Sequence, residues 1–261
     1  MNAVLAEKCT QCLTCVADCP ISLVTVNSDG FPEVESGKES YCTHCGHCEA
    51  VCPQMAADPS LRGPEITPEM LGTYMKKRRS IRNYKSEPVD KMILHEIMDI
   101  VRYAPSGHNV QALNWVIIYN TPEVRRLTDM VIEWMCQMVQ INHPIAAALN
   151  CPQLIQAYET GQDVICRNAP HLIVAYGPKE NSSAPTDATI ALAHLELAAP
   201  AFGLGACWAG FFQIAASFSP ELKQALGIPE PFGALGILMI GRPKFKYYQI
   251  PTRNEARVVW R

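Results

Sequence analysis

Apolar and polar residues first alternate at Leu23-Val24-Thr25-Val26. The alternation breaks at Asn27-Ser28-Asp29-Gly30 and resumes over Phe31 to Glu35, a spacing that predicts a short hairpin. Pro59, Gly63, Pro64 and Pro68 then punctuate the chain, so residues 59–66 read as a linker. Helical periodicity starts near Thr67, with Pro68 and Glu69 in the first turn, and runs to about Arg78. Val89 to Tyr103 predicts a second helix, capped by Asp90, with Ile93, Ile97, Ile100 and Val101 on one face and Pro105-Ser106-Gly107 as its stop. Trp115 to Tyr119 reads as a buried strand, and Glu123 to Val139 as a helix with Trp134 and Met138 on one side. Over residues 142–163 no period is clean, because Pro144, Pro152 and Gly161 interrupt the apolar segments.

The second half continues in the same manner. His171 to Tyr176 predicts a strand, and Asp187 to Phe202, nearly wholly apolar, predicts the central buried helix. Ala206 to Ala209 is short and extended, Glu221 to Leu226 is a helix closed by Gly227, and Ala234 to Ile240 is the last strand. Residues 243–261 carry Lys244, Lys246, Tyr247, Tyr248, Arg253 and Arg257 without a core period, and read as an extended arm. Short strands separated by helices make an α+β chain. Gly203-Leu204-Gly205 stands alone and does not amount to a dinucleotide fingerprint.

Composition supports folding: 48% hydrophobic and 18% charged residues in 261 exclude a disordered chain and allow one small and one medium domain. The N-terminus shows no basic segment followed by an apolar stretch, and the apolar run Ala234 to Ile240 is too short to span a bilayer. The expected setting is soluble, reducing and cytoplasmic, with no membrane partner. Residues 1–58 hold two lysines against eight Asp and Glu, a net of −6, whereas the remainder is net +3. That contrast suits electrostatic docking of an acidic module, and equally suits a small domain that is merely soluble.

Cysteine changes the picture most. Cys9, Cys12, Cys15 and Cys19-Pro20 repeat as Cys42, Cys45, Cys48 and Cys52-Pro53, each copy a C-x2-C-x2-C-x3-C-P run. Structural zinc takes four ligands as paired cysteines or histidines, and a disulfide framework would call for an exported protein. Three evenly spaced thiolates with a distant fourth, duplicated, instead match the ligand run of bacterial iron–sulfur proteins, in which the fourth cysteine crosses to the other cluster. Even with His44 and His47 inside the second run, the expectation is two [4Fe–4S] clusters. One is held by Cys9, Cys12, Cys15 and Cys52, the other by Cys42, Cys45, Cys48 and Cys19. Cys136, Cys151, Cys166 and Cys207 have no motif spacing and read as ordinary core or surface residues.

The second constellation is cationic. Lys76, Lys77, Arg78, Arg79 and Arg82 put five positive side chains within seven residues, around Ser80. By composition this is either a solvated or nucleic-acid-binding face, or an anion clamp built from arginines and a hydroxyl.

Resemblance to known families decides between them. The duplicated cysteine run resembles a two-cluster bacterial ferredoxin. Arg78-Arg79-Ser80-Ile81-Arg82 resembles the R-R-S-[IV]-R opening of the FMN-dependent nitroreductase family, and Ala104 to Gln111 is similar to its A-P-S-x-x-N-x-Q-P-W segment. Gly203 to Phe211 resembles its G-L-G-x-x-W-x-G stretch, and Ile240-Gly241-Arg242-Pro243 its closing G-[YR]-P. These blocks cover residues 67 to about 255, so the whole chain resembles a ferredoxin–nitroreductase fusion: a two-cluster domain over 1–58, the linker, and an FMN domain with its C-terminal arm over 67–261.

The resemblance implies an α+β sandwich with a central, mostly antiparallel sheet flanked by helices, and a homodimer with FMN at the interface. Arg78, Arg79, Ser80 and Arg82 would bind the FMN phosphate and ribityl chain, with Arg253 closing over the phosphate. Pro105, Ser106 and Asn109 would contact the flavin from the neighbouring subunit, and Trp208, Gly210 and Phe211 would lie along the isoalloxazine. His108 is the candidate for a polar or proton-donating role, whereas His95, His143, His171 and His194 read as structural. The chain departs from the family where Ala112-Leu113-Asn114-Trp115 follows Gln111 in place of Pro-Trp. The implied function is an oxidoreductase in which the clusters relay electrons to FMN for reduction of a small nitroaromatic, quinone or enone. A low-potential carrier protein or NAD(P)H would be the donor, and nucleic acid is not expected as a partner. A relay to a protein acceptor and a redox sensor without turnover are the alternatives.

Overall fold

The computed structural model describes residues 8–54 and 65–261. The end of the cysteine repeat near Asp58 and the linker through residue 64 lie outside the described residues. The chain forms two compact units. The first comprises residues 1–67 with His108–Val110, and the second comprises 68–107 and 111–261.

The first unit has little regular structure. It contains α1 (Thr14–Ala17), β1 (Val24–Val26), β2 (Pro32–Val34) and α2 (His47–Ala50). β1 and β2 pair antiparallel with Val24 opposite Val34. The turn between them is held by Asn27, whose Oδ1 accepts from the N–H groups of Asp29 (3.1 Å) and Phe31 (2.9 Å). This is the Asx-turn chemistry that favours Asn there. Each short helix is preceded by a left-handed residue, Leu13 at φ 58° and Gly46 at φ 74°. The backbone therefore reverses sharply beside the cysteines.

The second unit is a sandwich around one sheet. In chain order it comprises α3 (Pro68–Lys77), α4 (Lys91–Val101), β3 (Asn114–Ile118), α5 (Thr121–Gln140), α6 (Pro144–Ala148) and α7 (Cys151–Glu159). Then follow β4 (His171–Pro178), α8 (Ala184–Ala198), β5 (Gly205–Trp208), α9 (Gly210–Phe218), α10 (Pro220–Ala225) and β6 (Phe232–Gly241). The strands run in the order β3-β4-β6-β5, and every pairing is antiparallel.

Both faces of the sheet are buried. Leu172, Val174, Ile237 and Met239 join the layer containing α5 and α9. Their neighbours Ile173, Ala175, Leu238 and Ile240 join the layer containing α4 and α8. That explains why β6 reads as an unbroken apolar run, whereas an antiparallel strand with one wet face would alternate. α8 approaches β6 so closely that a Cβ at Gly236 would lie 2.2 Å from Leu192 Cδ1. Only glycine admits the helix there. Residues 244–261 are exposed and form no helix or strand.

His171, at the start of β4, joins three elements. It is fully buried, and its Nε2 accepts from the N–H of Val89 at 2.8 Å. Nδ1 therefore carries the proton and donates to Tyr119 O at 2.7 Å. The ring stacks on Tyr119 with centroids 4.6 Å apart. Burial holds the imidazole below its ordinary range, partly offset by the bond to Tyr119 O. The folded state therefore stays neutral where the unfolded chain takes a proton. Stability should be full above about pH 6.5 and fall as pH drops below it. His171→Leu should cost about 2–4 kcal/mol by stranding two buried backbone groups, and should flatten that pH dependence. Thermal unfolding at neutral and mildly acidic pH measures both effects.

Candidate functional site

The eight repeat cysteines are free thiols gathered into two pockets of the first unit. Cys9, Cys12, Cys15 and Cys52 line one, and Cys19, Cys42, Cys45 and Cys48 line the other, of about 250 Å³. Each fourth cysteine thus lies with the opposite run. Left-handed Gln11, Leu13 and His44 (φ 54°, 58° and 50°) curl the loops so that thiols close in sequence face one space. Among the described residues no three His, Cys, Asp or Glu side chains converge on a point suited to a single metal ion. Around the pocket of about 250 Å³ four thiols ring one space, the ligand number that a polynuclear iron–sulfur group takes.

Several thiols receive hydrogen bonds. The N–H of Gln11 donates to Cys9 Sγ (3.4 Å), Thr14 Oγ1 to Cys12 Sγ (3.4 Å) and the N–H of Leu23 to Cys19 Sγ (3.2 Å). The Thr14 hydroxyl holds the Cys12 thiol below its usual range. Burial opposes ionisation of Cys19, but N–H donors from Val24, Ile21 and Leu23 outweigh it and lower the thiol. Such donors favour the thiolate, the form that ligates metal, and are among the means by which a protein tunes cluster potentials.

In the second unit the cationic segment leaves the end of α3. Arg78 Nη1 donates to Glu196 Oε1 of α8 at 2.6 Å and to Ser80 Oγ at 3.3 Å. Arg79 is tied back to the helix end, bonding Lys77 O at 3.3 Å and Lys76 O. Arg78 and Arg79 line a cavity of about 600 Å³ together with Lys77, Lys85, Lys244 and Lys246. Glu196 is the single acid on its wall, so the cavity is suited to an anion. Ser80, Arg82, Trp208, Gly210, Phe211 and Arg253 are not among its lining residues.

The remaining sequence-derived residues are dispersed. Pro105 is exposed, and Ser106 Oγ accepts from the N–H of Gln111 at 3.0 Å. The N–H of Gly107 donates to Asp187 Oδ1 at 3.0 Å. Exposed His108 and half-buried Asn109 group with the first unit, where Asn109 Nδ2 donates to Thr43 O (3.0 Å) and His44 O (2.9 Å). Trp208 ends β5 and is 38% exposed, Gly210 opens α9, and Phe211 packs against the core. Arg82 and Arg253 are exposed, and Arg253 Nη1 donates to Thr252 O at 3.0 Å.

Sequence reasoning missed Asp187 and Glu196, which are 4% and 9% exposed. Their signal was present: two acids in a mostly apolar helix are rarely buried without a partner.

Comparison with known proteins accords with this geometry. Residues 75–242 match the nitroreductase family profile, and residues 8–57 match that of a 4Fe–4S dicluster domain. A nitroreductase with bound FMN from Desulfitobacterium hafniense DCB-2 superposes with a TM-score of 0.59 at 22% identity, over 74% of this chain and 100% of that one. A nitroreductase with bound FMN from Bacteroides fragilis NCTC 9343 gives 0.56 at 22% identity, over 73% and 100%. A protein of Archaeoglobus fulgidus, provisionally named as an NADH dehydrogenase/NAD(P)H nitroreductase, is 23% identical over 69% of this chain and 91% of its own length. Among the described residues no helix is long and apolar enough to cross a membrane.

Proposed function

Because the chain belongs to the nitroreductase family and carries a 4Fe–4S dicluster domain ahead of it, we propose that it passes electrons through two [4Fe–4S] clusters to FMN and reduces a small organic acceptor. Nitroaromatics, quinones and enones are the acceptor class. The observation that carries this reading is the sorting of eight thiols into two crossed sets of four.

When bound, the clusters supply single electrons and FMN supplies two-electron reduction of the acceptor. The protein's part is to bind and orient. Cys9, Cys12, Cys15 and Cys52 hold one cluster, and Cys19, Cys42, Cys45 and Cys48 the other. Arg78, Arg79, Ser80 and Arg82 bind the FMN phosphate and ribityl chain, with Arg253 closing over them. The Arg78–Glu196 pair keeps that guanidinium in one orientation, at the cost of some of its charge. Pro105, Ser106, Asn109, Trp208, Gly210 and Phe211 flank the ring, and His108 is the candidate proton donor.

The working form is a homodimer in this reading. α3 turns Met70, Leu71, Tyr74 and Met75 outward without a buried residue, and the arm exposes Phe245, Tyr248 and Trp260. Aromatic residues on an unpaired arm suit a subunit interface. The donor is a low-potential carrier protein, favoured over anionic NAD(P)H by the net −6 of residues 1–58.

Anaerobically purified protein should contain about eight iron, about eight acid-labile sulfide and one non-covalent FMN per chain, from two four-iron clusters. Zinc without sulfide, or FAD in the denatured supernatant, would overturn the reading.

A further inference from the structure

One buried carboxylate, outside every residue assigned so far, grips the backbone of a candidate flavin-contacting loop. Asp187, in the first turns of α8, is 4% exposed. Its Oδ1 accepts from the N–H of Gly107 at 3.0 Å, and its Oδ2 accepts from Ser183 Oγ at 3.1 Å. Ser183 Oγ also lies 3.0 Å from Asn181 Oδ1, so one hydroxyl proton serves two acceptors. None of the ion pairs among the described residues includes Asp187. A carboxylate buried without a cation is costly, and its hydrogen bonds are what retain it there.

The loop it holds is itself strained. Gln111 sits at φ 50° and His108 at φ 51°, a left-handed conformation that residues with a Cβ adopt reluctantly. Such residues persist where the surroundings over-determine them. The bonds that hold it include Gln111 N–H to Ser106 Oγ at 3.0 Å and Gly107 N–H to Asp187. Position 107 also needs glycine for room, since a Cβ would lie 2.8 Å from Ser183 Oγ. Any larger residue would lift the loop off the Asp187–Ser183 pair.

We propose that Asp187 is a positioning residue: through the Gly107 amide it fixes the Pro105-Ser106 backbone against α8 and so sets the shape of the flavin-contacting loop. This rests on the reading that Pro105 and Ser106 touch FMN. The bond is charge-assisted, so a carboxylate holds the amide more firmly than a neutral oxygen would.

The test uses the full-length protein carrying Asp187→Ala, Asp187→Asn, Gly107→Ala or, as a control, Leu127→Ala. Leu127 is fully buried in the other core layer, so its loss lowers stability without touching the loop. FMN affinity is read by fluorescence, and exchange of the Gly107 amide is read by NMR or mass spectrometry on flavin-free protein. Asp187→Ala should weaken FMN binding about tenfold or more and speed exchange at Gly107. Asp187→Asn keeps an acceptor oxygen and should recover most of the affinity. Gly107→Ala should reproduce the weaker binding with Asp187 intact, whereas Leu127→Ala should leave affinity near that of the parent. Equal weakening by Asp187→Ala and Leu127→Ala at matched melting temperature would overturn the proposal, as would unchanged Gly107 exchange in Asp187→Ala. If the parent protein binds no FMN, the flavin reading fails, and Gly107 exchange still decides whether Asp187 holds the loop.

Discussion

Cys52→Ala is expected to remove about half of the iron, all of it from the site formed with Cys9, Cys12 and Cys15, because each of the two clusters holds four irons. Cys52 lies far along the chain from those three residues but lines their pocket, whereas Cys42, Cys45 and Cys48 line the other with Cys19. Without Cys52, one of the four thiolates that would hold that cluster is gone, so the site should not retain it. Cys19→Ala should produce the mirror image. Iron and sulfide assays with EPR of the reduced variants distinguish the two sites. Loss of the Cys42, Cys45 and Cys48 site on replacing Cys52 would mean that the fourth ligands do not cross.

The grouping of the eight cysteines into two pockets was legible in the sequence because a proposed cluster ligand set is written as local spacing, and the proposed crossing follows from one rule about the fourth position. The elements of the sandwich were legible where a period was clean. Asp90 caps α4, its Oδ1 accepting from the N–H of Met92 at 2.8 Å, as the pattern there suggested. Reading failed where one residue type has two meanings. Pro144 and Pro152 looked like breakers over residues 142–163, yet Pro144 is the first residue of α6 and Pro152 the second of α7. Proline is tolerated in a helix's first turn because those N–H groups have no partner within the helix. α9 was missed altogether: Gly210 to Phe218 is largely apolar, and the polar pair Gln213 and Ser217 is too little to mark a helical period.

The second candidate site was only partly legible. Arg78 and Arg79, which line the cavity, are adjacent in the chain, and the motif exposes them to a reader. Lys85, Lys244 and Lys246 reach the same cavity from distant segments, so no local pattern joins them to it. Glu196 and Asp187 are one helix's contribution to two separate loops, through Arg78 and Gly107. Such pairings depend on packing, which spacing along the chain does not encode. Asn109 shows the opposite limit. Its motif places it beside Pro105 and Ser106, while its side chain bonds Thr43 and His44 carbonyls.

Electron flow through the clusters to FMN is tested most directly by anaerobic rapid mixing that follows bleaching of the flavin. The donors are a reduced low-potential carrier protein with a basic docking surface and, separately, NADH and NADPH. The proteins are the parent and a variant lacking all eight repeat cysteines, with a Cys42→Ala, Cys45→Ala double variant between them. In the parent the carrier should reduce the flavin faster than either nucleotide. Its rate should fall with added salt, because steering between exposed charges is screened over about 10 Å at 0.1 M. In the double variant, carrier-driven reduction should fall by about tenfold or more while FMN stays bound, since the cationic segment proposed to hold it is untouched. Rapid reduction of the flavin by NADH or NADPH in the variant lacking both clusters, with turnover equal to that of the parent, would contradict the account.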